Sequence, residues 1–169
     1  MYTVYLGLGS NEGDRLDHLA RAIALIEEIA EVVAVSSVYE TEAVDLFDDG
    51  GTFLNCAMEI RTNDDPPLLL VQLKRIEKQL GRKSRTHRMS RTIDIDILLY
   101  RGLAYEDHTV RVPHPMLEHR RFALEPLHEI APMAVHPGLE KTVAVLLRNC
   151  RDRHSVRKTD SYVYVPPNQ

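Results

Sequence analysis

Two aspartates, Asp94 and Asp96, alternate with isoleucines in a short apolar segment of the sequence. On a β-strand, alternate side chains share a face, so the two carboxylates would project together. The opposite face would carry the apolar side chains Ile93, Ile95, Ile97 and Leu99. Paired carboxylates repel each other unless cations compensate, and such oxygen ligands suit Mg²⁺ that is bridged to nucleotide phosphates. The simpler alternative for an isolated Asp-x-Asp pattern is a solvated strand face.

A strongly basic segment, 82–91, leads directly into this strand. Basic runs are usually solvated surfaces. Next to two carboxylates, however, a cationic loop supplies the second component of phosphoryl transfer, namely positive charge for the phosphate oxygens. We therefore expect this segment to be mobile in the free protein and to close over a nucleotide.

His114 and the Gly7–Asn11 segment are further candidates for nucleotide contacts. His114 is held between two prolines and is followed by Arg120, and such a pair can bind phosphate. The glycine segment lacks the third glycine of a dinucleotide motif, because Glu12 stands there, and no Gly-Lys-Ser/Thr loop is present. We interpret the glycines as a tight turn between a strand and a helix.

The composition limits the class of protein. The 169 residues carry a formal net charge of −4, which gives no general attraction for nucleic acid. No apolar run is long enough to span a bilayer, and no secretion signal is recognisable at the N-terminus, so a cytoplasmic protein is expected. Cys56 and Cys150 form no metal-binding or redox motif and are expected to be buried thiols.

The pattern of apolar residues predicts an α+β fold. Strands are predicted at 2–8, 32–39, 53–60 and 92–100, and a possible edge strand at 162–165. Helices are predicted from Asp14, from Pro66 to a stop at Gly81, and over 118–130. This order is that of a ferredoxin-like unit, an antiparallel sheet with helices packed on one face. We expect residues 1–169 to form a single domain.

Seven short motifs in a fixed order resemble the 6-hydroxymethyl-7,8-dihydropterin pyrophosphokinase family, over residues 5–132. They are Leu-Gly-Leu-Gly-Ser-Asn, Ser-Ser-Val-Tyr-Glu-Thr, Phe-Leu-Asn-Cys-Ala, Arg-Ile-Glu-Lys-Gln-Leu-Gly-Arg, Arg-Thr-Ile-Asp-Ile-Asp-Ile-Leu-Leu-Tyr, Val-Pro-His-Pro and Arg-Arg-Phe-Ala-Leu-Glu-Pro-Leu. Each motif is weak alone, and their joint occurrence is specific.

The resemblance implies transfer of diphosphate from ATP to the pterin alcohol, with release of AMP and with two Mg²⁺ ions. It implies metal ligands at Asp94 and Asp96 and catalytic arginines at Arg82 and Arg91. It places an ATP site at Lys74, Arg88, Ile97, His114 and Arg120. It places a pterin site at Thr41, Val44, Phe53, Asn55 and Phe122. A monomer with no nucleic-acid or membrane partner is expected.

Two alternatives from other classes remain open. A catalytically silent binding module would keep the pocket without the reaction, and the intact set of acidic and basic residues argues against it. A nucleic-acid-binding sheet would need interleaved aromatic residues and a basic sheet face, which the sequence lacks.

Overall fold

The computed structural model of the chain describes residues 1–42, 51–81 and 92–164. Four of the predicted site residues lie outside these ranges: Val44, Arg82, Arg88 and Arg91. The predicted closure of segment 82–91 over a nucleotide also concerns residues outside them.

The described residues form ten strands, four α-helices and one 3₁₀ helix. The strands are β1 (Tyr2–Ser10), β2 (Glu31–Val35), β3 (Tyr39–Thr41), β4 (Phe53–Thr62), β5 (Asp94–Tyr100), β6 (Tyr105–Glu106), β7 (Arg111–Val112), β8 (Val135–His136), β9 (Lys141–Thr142) and β10 (Val156–Lys158). The helices are α1 (Arg15–Glu27), α2 (Pro66–Gln79), α3 (Arg121–Ile130) and α4 (Val143–Asn149), with the 3₁₀ helix at Leu117–His119.

The main sheet is antiparallel, in the order β10-β3-β4-β1-β5, with β2 also paired to β4. Strands β2 and β3 follow each other along the same side of β4 and together replace the single strand predicted at 32–39. When β2 and β3 are counted as one strand, the central strands have the order of a ferredoxin-like unit. The predicted α+β fold class is therefore confirmed.

Helices cover both faces of the sheet, whereas the sequence pattern predicted one face. Helices α1 and α2 pack on one face through a stripe of buried residues that includes Leu19, Ile23, Leu69 and Leu73. Helices α3 and α4 pack on the other face around Leu124, Leu127, Val143 and Leu146. Helix α4 covers a part of the chain for which the sequence pattern predicted no helix.

A β-bulge in β5 changes which face Leu99 occupies. Tyr5 pairs with Leu99 and Leu6 with Ile97, so Leu98 is an extra residue in the ladder. An extra residue reverses the alternation of side chains beyond it. Ile93, Ile95 and Ile97 therefore enter the core under α1 and α2, as predicted, whereas Leu99 packs with α3 and α4. The prediction for Leu99 was wrong for this reason.

The helix-start and helix-stop predictions are largely confirmed. Asp14 caps α1, because its side chain accepts a hydrogen bond from the Asp17 N–H at 3.0 Å. Pro66 begins α2, and Gly81 follows that helix with φ +86°, a conformation that glycine adopts readily. The third helix begins at Arg121 rather than at 118, after the 3₁₀ turn. The edge strand is Val156–Lys158, and Tyr162–Tyr164 lie in no strand.

Candidate active site

A cavity of about 530 Å³ lies between the α3 side of the sheet and the chain segments around residues 114–123 and 152–154. It brings together most of the predicted site residues that the structure describes. They are Thr41, Phe53, Asn55, Asp94, Asp96, His114, Arg120 and Phe122.

Asp94 and Asp96 form the acidic end of the cavity. Their neighbours in β1 are Gly9 and Gly7, whose lack of side chains leaves this face of the sheet open. The pKa of Asp96 is raised to about 7, mainly by burial and then by the charge of Asp94, while Arg120 acts in the opposite direction. A cation bound next to Asp96 would stabilise the ionised form of this carboxyl group.

His114 and Arg120 stand next to the acidic pair. The His114 N–H donates to the carbonyl of Leu98 at 2.9 Å, which ties this segment to β5. The Met116 N–H donates to His114 Nδ1 at 3.1 Å, so the neutral imidazole carries its hydrogen on Nε2. Arg120 Nη1 is 3.3 Å from that Nε2 and 3.6 Å from Asp96 Oδ2. Two N–H donors beside a carboxylate pair suit an anion that is bound together with a cation.

Aromatic and amide groups form the other end of the cavity. Asn55 Nδ2 donates to Thr41 Oγ1 at 2.7 Å, and both side chains are buried. Phe53 and Phe122 contribute ring surface to the same space. The Arg120 guanidinium lies 5.7 Å from the centre of the Phe122 ring, so it contacts both ends of the cavity. A flat heterocycle with a polar edge fits such a set of groups.

Gly9 lies inside β1 rather than in the turn that the sequence analysis predicted, whereas Gly7 lies in the strand predicted at 2–8. A Cβ atom on Gly9 would stand 2.6 Å from Asn55 Oδ1, closer than side chains approach each other. A Cβ on Gly7 would stand 3.3 Å from both methyl groups of Leu98. Gly9 is therefore required for the position of the Asn55 amide.

Replacing Gly9 by Ala is expected to weaken ligand binding at the aromatic end of the cavity by on the order of ten-fold, because the new methyl group displaces the Asn55 amide from Thr41. Gly7→Ala is the comparison variant, since its methyl group would meet Leu98 at 3.3 Å and would not meet the Asn55 amide. Titration of a pterin with each variant measures the difference. Parental affinity in Gly9→Ala would show that the amide position is unimportant.

Two predicted ATP-site residues do not line the cavity. The Ile97 side chain is 5% exposed and lies in the core under α1 and α2. Lys74, on α2, donates through Nζ to Glu77 at 3.0 and 3.1 Å. Both assignments stay predictions.

Glu77 is a site-supporting residue that the sequence analysis missed. Its side chain is 2% exposed, and it accepts a hydrogen bond at 2.8 Å from the Ile95 N–H, between the two aspartates. The signal was present in the helical spacing, because Glu77 lies four residues after Leu73 and three before Leu80, on the buried face of α2.

The C-terminal part of the chain also contributes to the cavity, through Asp152 and His154. Met116 and His119, from the turn before α3, line it as well. No local pattern marks Asp152 and His154, since they reach the cavity only because the chain returns across it after α4.

The carboxylate pair of the cavity fits a hard cation such as Mg²⁺. Within residues 1–42, 51–81 and 92–164, no group of three or more His, Cys, Asp or Glu side chains is arranged to hold a metal by itself. Mg²⁺ is commonly bound by one or two carboxylates plus substrate phosphates, and Asp94 with Asp96 meets that requirement. Among the same residues, no helix is long and apolar enough to cross a membrane.

The fold and the cavity together define a ferredoxin-like α+β protein with the groups of a phosphate-transferring enzyme. Comparison with known families makes this specific. The model of the 7,8-dihydro-6-hydroxymethylpterin-pyrophosphokinase family matches residues 5–132, the range over which the motifs showed the resemblance.

Individual proteins agree with this match. The 2-amino-4-hydroxy-6-hydroxymethyldihydropteridine pyrophosphokinase of Aquifex aeolicus is 46% identical over 141 residues, covering 83% of this chain and 88% of its own. The protein of the same name from Bacillus subtilis is 44% identical, over 75% of this chain and 76% of its own.

A crystal structure of Plasmodium falciparum HPPK-DHPS with SDX-DHP superimposes on 87% of this chain with a TM-score of 0.72. At 16% identity this likeness shows the fold, and the match spans 44% of the longer Plasmodium chain. The chain thus belongs to the 7,8-dihydro-6-hydroxymethylpterin-pyrophosphokinase family, and the resemblance inferred from its motifs is confirmed.

Proposed function

We propose that the chain transfers the diphosphate of ATP to 6-hydroxymethyl-7,8-dihydropterin and releases AMP, a step of folate synthesis. Membership of the pyrophosphokinase family supports the reaction. The observation that carries it in this chain is that a single cavity has a carboxylate pair with Arg120 at one end and an aromatic and amide set at the other. The two ends correspond to the phosphate chain and to the pterin ring.

At the aromatic end, Phe53 and Phe122 would stack on the pterin while Asn55 recognises its polar edge. Thr41 supports this role, because its hydroxyl group holds the Asn55 amide. The predicted pterin contact of Val44 concerns a residue outside the described ranges and stays a prediction.

At the acidic end, Asp94 and Asp96 would hold Mg²⁺ together with the ATP phosphates, and two ions are proposed. The bound metal would neutralise phosphate charge during transfer. Arg120 and His114, whose Nη1 and Nε2 atoms lie 3.3 Å apart beside Asp96, would hold phosphate oxygens in position. Catalytic roles for Arg82 and Arg91 and ATP contacts by Arg88, Lys74 and Ile97 belong to the same proposal.

With the substrate hydroxyl as the nucleophile, the chain does not need a covalent intermediate. The hydroxyl oxygen would attack the β-phosphorus of ATP, the bond to the α-phosphate oxygen would break, and AMP would leave. The contribution of the protein is then to hold the two substrates in line and to offset negative charge.

The direct test is to incubate the pure protein with ATP, Mg²⁺ and the pterin and to identify the nucleotide product. AMP together with pterin diphosphate is the expected result. ADP would refute diphosphate transfer. Pterin binding without any nucleotide product would support the silent binding module instead.

Replacing Asn55 by Ala is expected to weaken pterin binding by on the order of ten-fold and to leave ATP binding nearly unchanged, because the lost hydrogen bonds serve only the heterocycle. Separate titrations with the pterin and with a non-hydrolysable ATP analogue measure both. Thr41→Val, which keeps the side-chain shape but frees the amide, should show a smaller loss of the same kind. Equal loss of both ligands would mean that Asn55 supports the fold rather than the pterin site.

We extend the proposal to a single domain over residues 1–169 that acts as a monomer in the cytoplasm, without nucleic-acid partners. Size-exclusion chromatography with light scattering tests the oligomeric state.

A further inference from the structure

The segment that follows α4 lines the cavity through Asp152 and His154 and is fixed at both of its ends. Cys150 is buried in the core under α3 and α4. At the other end, β10 pairs with β3, with Val156 opposite Thr41. The Glu42 N–H and the Ser155 carbonyl, 3.3 Å apart, add a further hydrogen bond beside this pairing. This stretch lies beyond residue 132, where the family match ends.

Asp152 is the polar centre of this segment. One carboxylate oxygen accepts from the Arg121 N–H at 3.1 Å. The other accepts from the His154 N–H at 3.0 Å and lies 2.5 Å from His154 Nδ1. The Asp152 side chain is 11% exposed. Burial alone would raise its pKa, but the hydrogen bonds from His154 and Arg121 outweigh burial and lower it, so the group is a carboxylate at neutral pH.

The bond to Arg121 matters because of where α3 begins. The N-terminal amides of a helix have no partner inside the helix, and a side chain at the preceding position usually accepts from one of them. At α3 that position is Arg120, which makes no such bond. A carboxylate 31 residues further along the chain takes this role, and its negative charge is also favoured at the start of a helix.

The two residues on either side of the bonded amide both line the cavity. Arg120 is the residue 3.6 Å from Asp96, and Phe122 contributes its ring to the aromatic end. We propose that Asp152 is a positioning residue of the active site, which fixes the first turn of α3 so that Arg120 and Phe122 keep their places. The expected effect on substrate binding rests on the proposed function, whereas the expected effect on the first turn of α3 does not.

The test compares Asp152→Ala with Asp65→Ala. Asp65 is a matched control because it also accepts from the first turn of a helix, through the Leu68 N–H at 3.0 Å, and does not line the cavity. Asp152→Ala is expected to lower kcat/KM for the pterin by about ten-fold or more, as small misplacements of binding groups do. Amide hydrogen exchange of the peptide that contains residues 120–123 should become faster. Asp65→Ala should change neither quantity, although both variants lose a comparable helix cap.

Two further variants keep the result decisive. If Asp152→Ala does not fold, Asp152→Asn takes its place. The amide has one acceptor oxygen, whereas the carboxylate now accepts hydrogen bonds through both of its oxygens. The fall in kcat/KM and the faster exchange should therefore be smaller than in Asp152→Ala and of the same kind. His154→Ala removes the imidazole partner and keeps the bond to Arg121, so it should speed exchange at 120–123 much less than Asp152→Ala does.

Three results would overturn the proposal: unchanged exchange at 120–123 in the Asp152 variants, a kinetic loss no larger than in Asp65→Ala, or exchange at 120–123 that is as fast in His154→Ala as in Asp152→Ala. If the parent protein forms no AMP, the proposed function fails. In that case, hydrogen exchange at 120–123 and a pterin titration of the same variants still decide whether Asp152 positions α3.

Discussion

Replacing Asp96 by Asn is expected to reduce turnover by about a hundred-fold or more. The substitution keeps the shape of the side chain but removes one of the two charges that would hold Mg²⁺ and the phosphates, and charge stabilisation of this type commonly contributes that much. The loss should appear in kcat at saturating ATP and pterin and should be largest at limiting Mg²⁺. Steady-state assays over a range of Mg²⁺ concentrations measure it.

The same variant should be at least as stable as the parent when no metal is present. The pKa of Asp96 is raised in the folded protein to about 7, by burial first and by Asp94 second. A carboxyl with a raised pKa in the folded state contributes stability at low pH that is lost as the pH rises through about 7, because ionisation then works against folding. Asn does not ionise, so urea unfolding at pH 8 without metal should show no loss of stability.

Asp17→Asn is the control for the change in net charge. Asp17 lies on α1, where it pairs with Arg21 at 3.7 Å on the protein surface. This variant should retain parental turnover and Mg²⁺ dependence. If Asp96→Asn kept parental turnover at limiting Mg²⁺, the two aspartates would be only a solvated strand face.

Replacing Arg120 by Ala is the second change with a large expected effect, again about a hundred-fold in kcat. Arg120 is the residue that contacts both ends of the cavity, through Asp96 and the face of Phe122. Its removal takes away a positive charge next to the phosphate site and a contact that orients the aromatic ring. We therefore expect a large fall in kcat together with a smaller rise in the KM for the pterin.

Arg121→Ala is a closely matched control, because Arg121 is the next residue and its guanidinium pairs with Glu125 at 3.0 Å instead of with the acidic pair. The change leaves the backbone N–H that binds Asp152 in place. Turnover close to the parental value is expected for it. Equal losses in the two variants would indicate a general disturbance of α3 and would remove Arg120 from the phosphate site.

The sequence alone predicted the ferredoxin-like fold class and the acidic pair of the cavity, because those features leave local patterns. Alternation along 93–97 separates the aspartates from the core side of β5, and the cap at Asp14 and the stop at Gly81 mark helix ends. The family motifs supplied the rest of the site. They assigned His114 and Arg120, which the sequence analysis had already paired as a phosphate contact, to the ATP site.

Other features depend on contacts between distant parts of the chain, so no local pattern could reveal them. The bulge at Leu98 is decided by pairing with β1, and it sends Leu99 into the second core. Gly9 is compatible with a turn or a strand when read alone, and its role follows from the 2.6 Å that a Cβ would leave to Asn55 Oδ1.

The sequence by itself thus determined the chemistry that the site can offer, because residue types and their spacing on one strand or helix are local properties. Only the tertiary structure decided which distant side chains support that chemistry. The clearest case is Asp152, an ordinary surface-type residue in the sequence. It acquires a role only because α4 and β10 bring it to the first amide of α3, which has no acceptor inside the helix.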